Sequence, residues 1–166
     1  MNLSSKQQLY QDILLSENFF LVKEYGYQYS SININSETGK VIIVFSEKSI
    51  KREVEFCFMP LNARMEEHDL IIVNIARDKN SFFNLQDYLR YKNIEGFSKI
   101  LRNTPDEYYD ELRKKNPFYL VNIEGDFEHR LKYFLSYIEK LTDKYLRKIL
   151  EGKDWEEIPF DWGPYK

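Results

Sequence analysis

The side chains best suited to acid, base or nucleophilic chemistry are few: two histidines, His68 and His129, and one cysteine, Cys57. His68 lies in the polar segment MEEHD, and adjacent side chains rarely converge on one metal ion, so we expect a solvated loop there. His129 precedes Tyr133 by four residues at the start of a helical pattern, where it is either an acid or base or an ordinary boundary residue. Cys57 alternates with phenylalanines, which predicts a buried, unreactive thiol.

The sequence motifs that usually accompany catalysis or cofactor binding are missing. There is no C-x-x-C or H-E-x-x-H spacing for zinc, and no G-x-S-x-G turn for a serine nucleophile. The six glycines are isolated, although phosphate-binding loops need clustered glycines for close backbone approach. We therefore predict no catalytic residue, no metal site and no cofactor.

The last residues, GKDWEEIPFDWGPYK, contain both tryptophans of the chain. Burying a phenylalanine-sized side chain stabilises a protein by roughly 1.5–3 kcal/mol, which predicts that this tail folds back onto the body. The tail is then either a clasp that completes the core or a partly exposed surface for a protein partner. The candidate partner-binding residues are Trp155, Glu156, Glu157, Asp161, Trp162 and Tyr165.

A second aromatic group is the row EYGYQY, in which alternation places Tyr25, Tyr27 and Tyr29 on one face of an expected strand. Three rings on one face could form a stacking platform for a base or sugar. Packing of the three tyrosine rings under the helices is favoured over a stacking platform. A contact patch for a protein partner is the next alternative.

The first half of the chain predicts one helix followed by an antiparallel sheet. Apolar spacing in SSKQQLYQDILLS predicts a helix from about Lys6 to Ser16, with Ser5 and Gln8 as a capping box. From Phe19 to about Ala76 the period changes to two, with a bulge or break near 30–31 where the phase reverses. Four strands are expected in this region. The second is VIIVFSE, which should be covered on both faces of the sheet, the third is KREVEFCFMP and the fourth is DLIIVNIAR.

The second half predicts helices. SFFNLQDYLRYKNI begins at Ser81 as a possible cap, and TPDEYYDELRKKN has three start signals. FYLVNI is a short strand or a packed connection. A long helix follows, from a cap at Asp126 to a stop at Gly152. The fold class is therefore α+β: an N-terminal helix, about four antiparallel strands, then helices packed on the sheet, ending in a long helix and an ordered aromatic tail.

Size and charge limit the class of protein. The 166 residues fit one domain, residues 1–166, and 43% hydrophobic with 31% charged residues predicts a folded, soluble chain. The net charge of −3 with interspersed signs argues against nucleic acid as a partner. The start of the chain does not read as a signal peptide, no apolar run could span a membrane, and one cysteine suggests no disulfide. We expect a cytoplasmic protein.

The stretch FLSYIEKLTDKYLRKILEGKDWEEIPFDWGPYK resembles the C-terminal ends of small, uncharacterised bacterial proteins, some of them immunity proteins of polymorphic toxin systems. The resemblance covers about the last fifth of the chain. The shared residues are of the kind that pack a helix and a tail, and none of them is a catalytic motif. It implies a cytosolic, cofactor-free protein that masks a toxin surface, and it transfers no contact residue.

Three functional hypotheses follow. The first is a non-enzymatic binding protein, such as an immunity protein that occludes a basic toxin domain. The second is a small hydrolase or transferase using His129 or His68 with nearby carboxylates, which requires a deep pocket at one histidine. The third is a small-ligand module with a cavity between the tyrosine row and the long helix.

Overall fold

The computed structural model describes residues 2–60, 69–78, 80–97 and 114–158. These residues form an α+β fold in which an antiparallel sheet follows two helices and precedes the others. The elements are α1 (Leu3–Leu14), α2 (Phe20–Tyr25), β1 (Gln28–Ile34), β2 (Val41–Glu47), β3 (Arg52–Met59), β4 (Leu70–Asp78), β5 (Ser81–Asn84), α3 (Leu85–Lys92), a 3₁₀ turn (Leu120–Asn122), α4 (Phe127–Leu141), a π-helical segment (Thr142–Leu146) and α5 (Arg147–Leu150).

The first helix begins earlier than the sequence indicated. Asn2 is the N-cap, and its Oδ1 accepts a 2.9 Å hydrogen bond from the Ser5 N–H. The predicted capping box at Ser5 is therefore wrong, because Asn2 already supplies the acceptor that the first turn needs.

A second helix replaces the start of the predicted first strand. The expectation of extended structure from Phe19 is wrong, because Phe20–Tyr25 is helical and ends at Gly26 with φ +73°. Phe19 packs on Phe45 and Phe56, with ring centroids 5.1 and 5.4 Å apart. Aromatic packing on the sheet thus outweighs the strand preference of these residues.

The sheet has five antiparallel strands in the order β1-β2-β3-β4-β5. The predicted irregularity near 30–31 is confirmed by a register shift between Tyr29 and Ser31. The fifth strand was missed, since Ser81 begins β5 and is not a helix cap. Asn84 is the cap of α3, and its Oδ1 accepts hydrogen bonds from the Gln86 and Asp87 N–H groups.

The core lies against one face of the sheet. In β2 the side chains of Val41, Ile43 and Phe45 are buried, whereas those between them are half-buried, so the second face of the strand is covered only in part. Helices α1 and α4 reach the covered face, where Tyr10 and Phe127 pack on the Phe58 ring at 5.3 and 5.5 Å.

The C-terminal helix begins and stops where the sequence predicts. Asp126 Oδ1 accepts the His129 N–H at 2.9 Å, and Gly152 lies just past the end with φ +72°. The π-helical segment between α4 and α5 was not predicted. The apolar stripe of α4 is buried: Phe127, Leu131, Phe134, Leu135, Ile138 and Leu141.

The segment FYLVNI is a packed connection with a single bridge between Tyr119 and Leu70. The helix expected over TPDEYYDELRKKN lies almost wholly outside the described residues, as does most of the helical turn expected over EGFSKILRN. In the described ranges no helix is both long and apolar enough to cross a bilayer.

Candidate functional site

A half-open groove of about 710 Å³ lies beside the first half of α4. One wall carries His129, Tyr133 and Tyr137, and the spacing of four residues places these side chains on one face of the helix. The opposite wall comes from the end of α3 and the segment that precedes the 3₁₀ turn, and includes Arg90 and Lys115. The other lining residues include apolar and amide side chains, among them Phe97, Asn116, Asn122 and Ile123.

The two tyrosines of the groove differ in exposure. Tyr133 is 56% exposed, although it is a large ring in the middle of a packed helix. Tyr137 is half-buried, and burial raises the pKa of its phenol to about 12. A tyrosine hydroxyl can both donate and accept a hydrogen bond, so the groove offers polar groups carried on aromatic rings.

The charges around the groove are of both signs. Glu95 accepts hydrogen bonds from the Tyr145 hydroxyl at 2.7 Å and from Lys144 Nζ at 3.0 Å, and these bonds lower its pKa. Arg90 lies 3.6 Å from Asp87, whose pKa is raised by burial. Among the described residues, the groove is therefore lined by charges of both signs.

His129 reaches the groove without a catalytic arrangement. Its side chain is exposed and lies against Gly125, where an added Cβ would come within 2.9 Å of the imidazole Cδ2. Among the described residues it makes no hydrogen bond with a carboxylate, which a general base normally needs for orientation. His68 lies outside the described residues.

No metal cluster and no reactive thiol emerge from the described ranges. In 2–60, 69–78, 80–97 and 114–158, no three His, Cys, Asp or Glu side chains lie close enough to share an ion. Cys57 is 2% exposed, and burial raises the pKa of its thiol to about 11. Its place in β3 is the predicted one.

The described part of the tail folds back over the end of the sheet. The Trp155 ring is half-buried, 5.4 Å from the Phe83 ring, with the Arg52 and Arg77 guanidiniums 4.9 and 5.4 Å from its centre. Its indole N–H donates to Glu157 at 2.9 Å. Asp161, Trp162 and Tyr165 lie outside the described residues.

The two tail glutamates are occupied within the chain. Glu156 pairs with Lys92 at 2.5 Å, and Glu157 accepts from Arg77 at 3.4 Å and from the Ser81 hydroxyl at 3.2 Å. With Trp155, they hold residues 154–157 against β4, β5 and α3. These contacts are those of a clasp.

The tyrosine row does not lie on one strand face, so that geometric expectation is wrong. Tyr25 ends α2 and packs on the Phe20 ring, whereas Tyr27 is fully buried and Tyr29 is 48% exposed in β1. The cause is Gly26, whose left-handed backbone turns the chain between the first two rings. The Tyr27 hydroxyl donates to the Leu150 carbonyl at 3.0 Å, so this ring packs directly against the end of the C-terminal helix.

Sequence reasoning missed the groove because its walls lie far apart in the chain. The available signal was the i, i+4, i+8 series of His129, Tyr133 and Tyr137 outside the apolar stripe of the helix. Comparisons with protein-family models, curated proteins and solved structures returned no match to this chain.

Proposed function

We propose that this protein is a non-enzymatic binding protein that recognises a protein partner through the groove beside α4. The observation that carries the proposal is Tyr133, a ring 56% exposed at the edge of a groove that also holds Tyr137 and Arg90. Tyrosine and arginine are the residue types that most often dominate protein–protein binding energy, and both can bury apolar area while they donate hydrogen bonds.

The mixed charge of the groove supports a protein partner. A protein surface can match cations, anions and rings together, and alternating charges then set the register of the complex. Glu124 at the groove is an exposed carboxylate with no ion pair among the described residues, so it is available to a basic group of the partner.

The resemblance to immunity proteins suggests the class of partner, a toxin domain, and the mechanism, steric occlusion of its working surface. A basic toxin would be favoured by the net charge of −3. Both proteins would then meet in the cytoplasm. On this view the tail serves mainly as a clasp, and we propose that Asp161, Trp162 and Tyr165 extend either the clasp or the contact surface.

The test begins with affinity capture, followed by purification of each candidate partner, including the product of any neighbouring toxin-like gene. Calorimetry then compares the unsubstituted protein with Tyr133→Ala, and with Lys140→Ala as a matched control on an exposed position of the same helix. We expect Tyr133→Ala to weaken binding at least tenfold, about 1.4 kcal/mol, and the control to change it less than twofold. If no purified candidate binds saturably, or if both variants bind equally well, the proposal fails.

A second candidate function is supported by one observation: His129 and Glu124 line the same groove. A small hydrolase or transferase with His129 as acid or base would turn over a member of a chromogenic ester, phosphoester or peptide panel. Turnover by the unsubstituted protein that is lost in His129→Gln, with folding unchanged by circular dichroism, would replace the binding proposal with this one.

A further inference from the structure

Strand β1 forms one edge of the sheet, and β2 is its only partner strand among the described residues. The peptide groups on its other side have no strand partner within the described chain. An open strand edge of this kind is a template on which another strand can add, because each unpaired N–H and C=O is already aligned.

The edge is unusual in its lack of charge. Residues 25–36, YGYQYSSININS, contain no Asp, Glu, Lys or Arg, although 31% of the chain is charged. No other uncharged run in the sequence is as long. Natural edge strands are commonly protected by lysine or proline, and β1 has neither.

The side chains of β1 favour pairing as well. Tyr29 is 48% exposed and Ile34 is 49% exposed, while Ile32 is half-buried. Aromatic and β-branched residues on adjacent strands stabilise a sheet by cross-strand contact. The bulge between Tyr29 and Ser31 is the one feature of β1 that hinders addition of another strand. It leaves the stretch from Ser31 to Ile34 regular.

The opposite edge of the sheet differs. Strand β5 is only four residues long and continues directly into α3. A strand this short presents few peptide groups to a partner, so β1 is the edge at which addition is favoured.

We propose that β1 pairs antiparallel with β1 of a second copy of this chain, so that the two sheets become one continuous sheet. The lack of charge in β1 favours a second copy of the chain as its partner. Two uncharged strands can pair without charge repulsion and without removing a charged group from water. Two-fold symmetry is the commonest arrangement of homodimers, and a strand pairs antiparallel with itself about such an axis.

The backbone restricts the register to pairings between outward-pointing residues, and an axis beside Asn33 is one such position that covers Ile34 with Ile32. The Asn35 N–H donates inward to the Lys40 carbonyl at 2.9 Å, so the peptide groups of Ile34 and Ile32 point outward, because direction alternates along a strand. An axis beside Asn33 places Ile34 opposite the partner's Ile32 and Asn33 opposite the partner's Asn33. The exposed Ile34 is then covered in both copies.

The experiment is sedimentation velocity on the full chain over a concentration series up to about 100 μM, the range for a small interface. We expect a reversible dimer. Ile34→Lys should weaken it at least tenfold, because two lysines then lie close to the axis. Phe82→Lys is the matched control, since Phe82 is 54% exposed on the opposite edge strand, and its dimer should be unchanged. Circular dichroism checks that both variants fold.

A second measurement tests the register. Asn33→Cys, oxidised with diamide, should form a disulfide-linked dimer, because a non-hydrogen-bonded antiparallel pair has Cα atoms about 4.5 Å apart. The unsubstituted protein is the control, with its buried Cys57. A monomer at every concentration, a dimer that survives Ile34→Lys, or no cross-link through Asn33→Cys would each overturn the proposal.

Discussion

The guanidinium carbon of Arg52 lies 4.9 Å from the centre of the Trp155 ring, and the same group donates hydrogen bonds to the Ile149 and Asp154 carbonyls at 3.1 and 3.0 Å. Arg52 is only 5% exposed. One side chain at the start of β3 therefore joins the end of the C-terminal helix to the tail, across about a hundred residues of sequence.

We expect Arg52→Ala to lower the free energy of unfolding by about 3 kcal/mol, because it removes the guanidinium donors from the Asp154 and Ile149 carbonyls and the cation from the ring, although Ile149 keeps the Gly152 N–H as a donor. Arg77→Ala is the control: Arg77 lies near the same ring, but its side chain is 41% exposed, so we expect a loss within about 1 kcal/mol. Urea unfolding measures the free energy of unfolding of both variants. Equal losses would show that the buried hydrogen bonds of Arg52 do not hold the tail.

The close approach of Gly152 to Ile50 yields a second prediction. A Cβ at Gly152 would lie 2.6 Å from the Ile50 Cβ, and φ is +72°. Gly152→Ala should therefore cost about 2–5 kcal/mol through strain and overpacking. Gly96 has φ +80°, and no described residue lies within 4 Å of where its Cβ would stand, so Gly96→Ala should cost only about 1 kcal/mol. Thermal melts of the two variants compare them, and similar melting temperatures would contradict the close contact.

Two buried tyrosines should respond oppositely to loss of the hydroxyl. The Tyr27 hydroxyl donates to the Leu150 carbonyl, so Tyr27→Phe should cost about 1–2 kcal/mol. The Tyr10 hydroxyl is buried with no hydrogen-bond partner among the described residues, so Tyr10→Phe should be neutral or stabilising by about 1 kcal/mol. Denaturant unfolding measures the sign of the change in the free energy of unfolding for each variant. A stabilising Tyr27→Phe would exclude the bond to Leu150.

Burial of phenols predicts alkaline instability. It raises the pKa of Tyr10 and Tyr27, and that of Tyr137 to about 12. Above pH 10 the unfolded chain releases these protons while the folded protein retains them, so stability is fully present below pH 10 and falls as pH rises toward 12. We expect the urea midpoint to decrease between pH 9 and 11, and to decrease less in Tyr10→Phe. A midpoint independent of pH over this range would mean that the phenols are not desolvated.

Much of the fold was predictable where local chemistry and pattern agree. Asp126 caps the C-terminal helix and Gly152 ends it, because a carboxylate acceptor and a residue free to adopt positive φ are needed at those positions. The phase change near Ser31 predicted the bulge, since side chains in a strand alternate strictly and an extra residue reverses them.

Other elements could not be predicted locally. Phe20–Tyr25 is helical, and the ring of Phe19 just before it packs on Phe45 and Phe56, which are distant in sequence. The groove depends on α3 lying opposite α4, and no residue spacing in the sequence predicts that arrangement. The ion pairs of Glu156 with Lys92 and of Glu157 with Arg77 likewise join residues that are distant in sequence.

The sequence by itself determined the α+β class, the ends of the long helix and the absence of recognisable catalytic motifs, because these follow from periodicity, capping and residue type. Only the tertiary structure decided that Tyr27 is internal while Tyr29 and Tyr133 face solvent, and that Arg52 is buried under Trp155. The physical reason is that exposure depends on which distant segment covers a side chain, and that is set by the packing of the whole chain.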